Sequence, residues 1–353
     1  MSPGTSTGGI ISILLGRLRL SVEDCLDIYA SLSRKVFKNE RFGKGFFQSK
    51  FDHTILEEVI KIELKKIKKR TRRHETGQDV PLGGGDSDGE EPSGVPTDSA
   101  SHIRVRPRRP GSPDIQEGIE ARMLDTYDRA CKAFVSATPG IDVQRDQPKL
   151  FRTYQSRETN AVPDCKIWEA IRATSAAPTF FDSITINDLT YVDGGFGCNN
   201  PCIEVYEEAR KIWPNREIGV ILSLGTGMPK VLSIDNPSYF DQWWPRPWVQ
   251  VLERIATQCD ATHQEMYRKR ELRGKYFRFN VQQGLQSVSL AEWDKLGEVG
   301  THTEQYMRDA DIVPKLNQAV ECILAVETDP GVGTDDEEQQ EPPSYSRAIS
   351  LYR

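Results

Sequence analysis

GTSTGG, residues 4–9 of the opening stretch MSPGTSTGGIISILL (residues 1–15), spells G-x-S-x-G, the pattern in which a serine sits on a sharp turn between a strand and a helix. Ser6 is therefore a candidate nucleophile. Gly8 and Gly9 lead into IISILL, which can start a helix packed tightly against a sheet. A helix beginning just after Ser6 would aim its positive dipole end at the serine and at an oxyanion forming beside it. One such match is weak evidence alone, since a chain of this length meets the pattern by chance roughly one time in six. Only Met1, Ser2 and Pro3 stand ahead of it, and Pro3 cannot donate a ladder hydrogen bond, so the strand that should carry the serine is expected to be missing.

Two further stretches carry chemistry. In YVDGGFGCNNP (residues 191–201), Asp193 follows the strand-like segment Leu189 to Val192 and precedes Gly194 and Gly195, which let the backbone turn. An aspartate there is often only a turn residue. As a functional group it is a carboxylate general base for Ser6, because a dyad needs a nucleophile, a base within hydrogen-bond reach and donors for the oxyanion. In ATSAAPTFF (residues 173–181) the small side chains allow close backbone packing and Pro178 ends a helix. Ser175 adds a hydroxyl near the candidate site, but no sharp glycine turn presents it as a nucleophile.

The surrounding pattern alternates helices with strands. Ser21 with Asp24 reads as a capping box, followed by Cys25, Tyr29, Leu32 and Val36 on one helical face. Thr54 with Glu57 reads as a second box, followed by Leu56, Ile60, Leu64 and Ile67. KAFVSAT (residues 132–138) predicts a strand ended by Pro139-Gly140, and Cys165 to Thr174 a helix. Asn200 is expected as N-cap of a helix with Pro201 in its first turn and Cys202, Tyr206, Ala209 and Trp213 on its buried face. IGVILSL (residues 218–224), closed by Gly225-Thr226-Gly227, predicts a strand buried on both faces. From Val251 to Ala325 the sequence reads mainly helical. Together these predict an α/β fold with a mostly parallel central sheet flanked by helices.

Composition bounds the rest. Apolar residues make up 37% and charged residues 28% of 353, with a mean hydropathy of −0.55. That polarity is concentrated in residues 74–118, expected to be a disordered insertion containing Gly83-Gly84-Gly85 as linker, and in residues 327–353, an acidic tail expected to be disordered. Residues 1–73 and 119–326 are then two parts of one domain. A net charge of −6 carries no footprint for nucleic acid. Seven scattered cysteines argue for a reducing compartment, and Cys198 and Cys202 have no further ligands at zinc-like spacing. Ile10 to Leu15 is far shorter than the ~20 residues of a spanning helix, so a cytoplasmic chain, at most peripheral at membranes, is expected.

Taken in order, GTSTGG, ATSAAPTFF and DGGFGCNNP resemble the motifs of patatin-like phospholipases, especially the fungal ones. YFRFNVQQGLQSVSLAEW (residues 276–293) is similar to their C-terminal region, so the resemblance covers Gly4 to Ala325 without the insertion. It implies a three-layer fold, Ser6 as nucleophile, Asp193 as general base, and Gly4, Gly8, Gly194 and Gly195 as supports of the turns. It implies no metal or organic cofactor. The activity implied is lipid acyl hydrolysis of phospholipase A or acylglycerol lipase type, through an acyl-serine, on lipid at a membrane or droplet surface. Members of the family open with a strand and a glycine-rich turn, G-G-G-x-R/K-G in type, whose N–H groups hold the oxyanion. None precedes Ser6 here, so a truncated chain is expected, with impaired hydrolysis and the Thr7 N–H as remaining donor.

Two rival readings stand beside it. A Ser-His-Asp hydrolase would use His263 or His302, both in polar, helix-like stretches. A catalytically inactive lipid-surface or regulatory protein would use the basic run KKIKKRTRR (residues 65–73) with Arg104, Arg106, Arg108 and Arg109 against anionic headgroups.

Overall fold

Residues 133–139, AFVSATP, form strand β2 (Ala133–Pro139), buried along its whole length, and the first sheet is built around it. In this computed structural model the described residues are 1–38, 49–75, 118–127, 130–140, 148–156, 162, 164–178, 180–227, 258–285, 288 and 291–327. β1 (Ser2–Thr5) runs parallel to β2, and β3 (Lys149–Arg152) and β5 (Leu189–Asp193) pair with it antiparallel. β4 (Ile184–Ile186) closes the order β1-β2-β5-β4 as a hairpin with β5. Its loop is Asn187-Asp188, both at positive φ (48° and 63°), the two-residue turn that matches strand twist. The Asn-Asp pair between ITI and LTYV was a legible hairpin signal that the reading of this stretch did not use.

The strand expected to be missing ahead of Ser6 is therefore present, made of Ser2, Pro3, Gly4 and Thr5. Proline is tolerated because β1 is an end strand of the order among the described residues. Ser2 donates to Lys132 O at 2.9 Å, so alternation turns the nitrogen of Pro3 away from β2. The sheet is mixed rather than mostly parallel: β1-β2 is parallel, and the other pairings of β2, β3, β4 and β5 are antiparallel. The two-residue Asn187-Asp188 turn joins β4 to β5 directly, so that pair is antiparallel and has no helical crossover.

Helix α1 (Thr7–Ser12) continues as a π-turn through Arg17, and α2 (Val22–Phe37) and α3 (His53–Glu75) pack beside it. Ser21 caps α2 as expected, accepting from the Asp24 N–H. The predicted apolar face of α3 is buried at Leu56, Ile60, Leu64 and Ile67. Its cap is not Thr54: Asp52 Oδ1 accepts from the Thr54 N–H at 2.9 Å, and Glu57 reaches Arg172 instead. An aspartate one residue ahead of the helix offers a better acceptor than a threonine already inside it. α4 (Ile167–Thr174) lies against β2 and α1, its N-terminus closed by Glu169, which accepts from the Lys166 N–H at 2.7 Å.

Arg17 is fully buried. Its guanidinium donates to the carbonyls of Arg122, Met123 and Leu124 at 2.9–3.2 Å and pairs with Asp125 at 3.7 Å. It therefore pins the 122–125 strand of chain to α1. Arg17→Leu leaves those carbonyls without their donor while Asp125 keeps its pair with Arg19, and an expected loss of about 1–3 kcal/mol would be read from urea unfolding.

The second sheet pairs β6 (Ile221–Leu224) with β7 (Tyr276–Phe279) in parallel. β6 was expected to be buried on both faces, but Leu222 and Leu224 are 42% and 75% exposed, so its burial alternates. β7 interrupts the region read as helical; four residues of Tyr-Phe-Arg-Phe are too short to stand out between helices. α5 (Gly195–Cys198) packs against β2, while α6 (Cys202–Ile212), α7 (residues 258–268), α8 (Leu296–Met307) and α9 (Ile312–Glu327) lie around the second sheet. Pro201, not Asn200, occupies the N-cap position of α6. Asn200 is buried and accepts from Ser223 Oγ at 3.3 Å instead. Of that helix's predicted face, Cys202 is buried while Tyr206, Ala209 and Trp213 are half-buried. Residues 76–117 and 328–353, which hold most of the expected insertion and tail, Gly83 to Gly85 and Arg104 to Arg109, lie outside the described residues. So do the side chains of residues 68–73 in the basic run.

Candidate functional site

β2 sets the site by register. Thr5 lies opposite Ser136 and Asp193 opposite Ala137, one residue further on, so the end of β1 and the end of β5 meet at adjacent positions of one strand. The chain leaves β1 at Ser6 and enters α1 at Thr7, with Ser6 at φ 54° and ψ −125°. A serine in that region carries strain of order 1–3 kcal/mol, which its surroundings must hold. Thr5 Oγ1 donates to Cys198 O at 2.7 Å and meets Ser136 Oγ at 2.7 Å. The Ser6 N–H donates to Thr174 Oγ1 at 2.9 Å. Gly4 is needed where the turn closes on itself: a Cβ there would fall on the backbone of Gly8 and Gly9, 2.7 Å from Gly9 N.

Asp193 ends β5 and is only 4% exposed. Ser6 Oγ donates to its Oδ2 at 2.6 Å, and the Gly195 N–H donates to its Oδ1 at 2.7 Å. Its own N–H donates to Ala176 O at 3.0 Å. A Cβ on Gly194 would collide with Ser136, 2.7 Å from its carbonyl carbon, which is why the Asp-Gly-Gly turn can press against β2. Burial raises the carboxyl to about 6, against the lowering by the Ser6 and Gly195 hydrogen bonds. This contribution to stability is present below the ordinary value of 3.8 and lost as pH rises through about 6.

The other candidates fall elsewhere. Ser175 is buried at the end of α4, and its Oγ makes no hydrogen bond to Asp193. His263 Nδ1 meets Tyr276 Oη at 3.1 Å, and burial, then Arg278 and Lys315, push its pKa down. The ring of His302 lies over Gly284. Among the described residues, the hydrogen bonds of Ser6 and Asp193 reach no histidine. Around Cys198 and Cys202, no group of three or more His, Cys, Asp or Glu among the described residues could hold a metal. The positive charge of Arg278 stands near Cys202 and Cys259 there. A cavity of about 280 Å³ lined by Met123, Leu150, Phe151, Tyr154 and Cys165 includes neither Ser6 nor Asp193. Thr174 is the site contact that sequence reading missed; ATSAAP was read for close packing and for the Ser175 hydroxyl, and a second hydroxyl beside it was the available signal.

Among the described residues no helix is long and apolar enough to cross a membrane. The model of the patatin-like phospholipase family matches residues 4–206. The chain is 25% identical over 243 residues to calcium-independent phospholipase A2-gamma of Oryctolagus cuniculus, covering 67% of this chain and 25% of that protein. It is 26% identical over 262 residues to phospholipase A I of Arabidopsis thaliana, covering 64% of this chain and 18% of that protein. Against the cGAMP-activated phospholipase of Vibrio cholerae it is 28% identical over 159 residues, or 41% of this chain and 42% of that protein. The chain thus spans about a quarter of the length of the mammalian relatives it matches. With the family's match running from the serine turn through the Asp-Gly-Gly turn and into α6, this chain belongs to the patatin-like phospholipases.

Proposed function

We propose that the chain is a lipid acyl hydrolase, of phospholipase A or acylglycerol lipase type, working through a Ser6–Asp193 dyad. The observation that carries this reading is the 2.6 Å hydrogen bond from a strained serine to a buried carboxylate. Ser6 Oγ attacks the ester carbonyl as Asp193 Oδ2 takes its proton. The Thr7 N–H, first of α1, donates to the oxyanion with the helix dipole behind it. Collapse of the adduct expels the alcohol, a lysolipid or partial glyceride, which takes the proton back from Asp193. Water then adds to the acyl-serine with the same carboxylate as base, releasing fatty acid. The substrate sits at a membrane or droplet surface, and none of these steps calls for a cofactor.

A non-catalytic lipid-surface protein would have no use for the strain at Ser6 or the buried charge at Asp193, both of which oppose folding. The assay that separates the readings is release of fatty acid from phosphatidylcholine vesicles and triacylglycerol emulsions by the chain and by Ser6→Ala. Equal release by both proteins rules the dyad out.

The pH dependence has a definite sign. Below about 6 Asp193 is protonated and cannot accept the serine proton. So kcat/KM should fall about tenfold per pH unit on the acid side, with an apparent pKa near 6. A profile flat between pH 7 and 5 excludes Asp193 as the base.

A further inference from the structure

We infer that the turn ending α4 is a brace that fixes the Ser6–Asp193 separation, with Thr174 as the positioning residue and Gly9 as the residue that lets it reach; the inference rests on the dyad proposed above. Residues 174–176 hold both partners by their backbone N–H groups. Thr174 Oγ1 accepts from Ser6 at 2.9 Å, and Ala176 O accepts from Asp193 at 3.0 Å. Two positions on one rigid turn therefore set the relative place of nucleophile and base, which come from strands far apart in sequence.

Thr174 is fully buried, so its hydroxyl is not dissolved in water and has a fixed direction. Ser6 at φ 54° leaves the β1 ladder before α1 has begun, and its N–H needs an acceptor from outside both elements. Rotation about that backbone would swing Oγ away from Asp193. The approach of α4 to α1 is permitted at Gly9, where a Cβ would lie 2.8 Å from Thr174 Cγ2 and 2.9 Å from its Oγ1. Gly9 stands outside the G-x-S-x-G pattern, and this contact gives it a purpose. The third glycine of GTSTGG and the threonine of ATSAAP are thus two halves of one contact.

The test compares Thr174→Val, Thr174→Ser and Gly9→Ala with the parent chain on phosphatidylcholine vesicles, and counts competent serines with a lipid-like fluorophosphonate. A misplacement near 1 Å reduces turnover on the order of 100-fold. Thr174→Val should therefore lose roughly 10- to 100-fold in kcat per labelled site with KM changed less than about twofold. Thr174→Ser, which keeps the acceptor, should stay within about threefold of the parent, and Gly9→Ala should resemble Thr174→Val. A role in packing alone lowers the number of labelled sites and leaves kcat per site unchanged, and that result overturns the brace. Should Thr174→Val fail to fold, Thr174→Ala provides the same reading without a larger side chain. Loss of folding in both assigns the residue to the core and equally overturns it. Ser6→Ala serves as the separate control: if it hydrolyses lipid as fast as the parent, the dyad itself fails, whereas an inactive Ser6→Ala beside an unimpaired Thr174→Val removes only the brace.

Discussion

Ser6→Ala is expected to lower kcat for lipid ester hydrolysis by roughly 10⁴-fold or more, and Asp193→Asn by a similar factor. Alanine removes the only atom that can form the acyl intermediate. Asparagine keeps the shape of the side chain and can still accept from the Gly195 N–H, but its amide nitrogen cannot take the serine proton. Because the two residues act as one unit, the double variant should be little worse than Ser6→Ala alone. Stability should move the other way. Burying a charge at Asp193 opposes folding above about pH 6, so Asp193→Asn at pH 7.5 should melt no lower than the parent. Steady-state kinetics on mixed micelles and a calorimetric melt read both effects. An Asp193→Asn variant that keeps a tenth of the parent's turnover would remove the carboxylate from the mechanism.

The two glycines of G-x-S-x-G should behave differently. Gly4→Ala drives a methyl into the Gly8 carbonyl and to within 2.7 Å of Gly9 N, and neither belongs to a side chain that could swing aside. The turn must open, moving Ser6 relative to Asp193. Overpacking of this kind destabilises by about 1–3 kcal/mol, and a displacement near 1 Å lowers turnover by about 100-fold. Gly194→Ala meets the backbone and hydroxyl of Ser136 and should fail in the same manner from the other side of the site. At Gly8 a Cβ has nothing within 4 Å. Gly8 lies inside α1, so Gly8→Ala should stabilise by about 0.5–1 kcal/mol and keep its N–H. Thermal melts and initial rates on the three alanine variants decide this. Equal losses at Gly4 and Gly8 would mean that the turn is not built as described.

The sequence exposed the site more fully than the sheet. Glycines flanking Ser6 and following Asp193 mark positions where backbone meets backbone, and such contacts are local enough to read from a few residues. The apolar face of α3 and the cap of α2 were equally plain, because helical periodicity and capping act within a turn or two. Sheet topology was less legible. Whether Ser2 to Thr5 can serve as a strand depends on β2 lying beside it, more than 120 residues away, and a proline at an end strand looks the same in sequence as one that forbids a strand. The antiparallel joining of β5 to β2 and the exposed face of β6 are likewise set by what packs against them. The Thr174 hydroxyl was in view, but its partner was not, for the same reason: its role comes from a contact 168 residues away along the chain.

The most direct test of a Ser6–Asp193 dyad is peptide mapping by mass spectrometry after the chain reacts with a long-chain fluorophosphonate. One adduct on the peptide carrying Ser6, forming faster as pH rises through about 6 and absent from Ser6→Ala, is the expected result. An adduct on Ser175 or any other residue, or labelling that persists in Ser6→Ala, would contradict it.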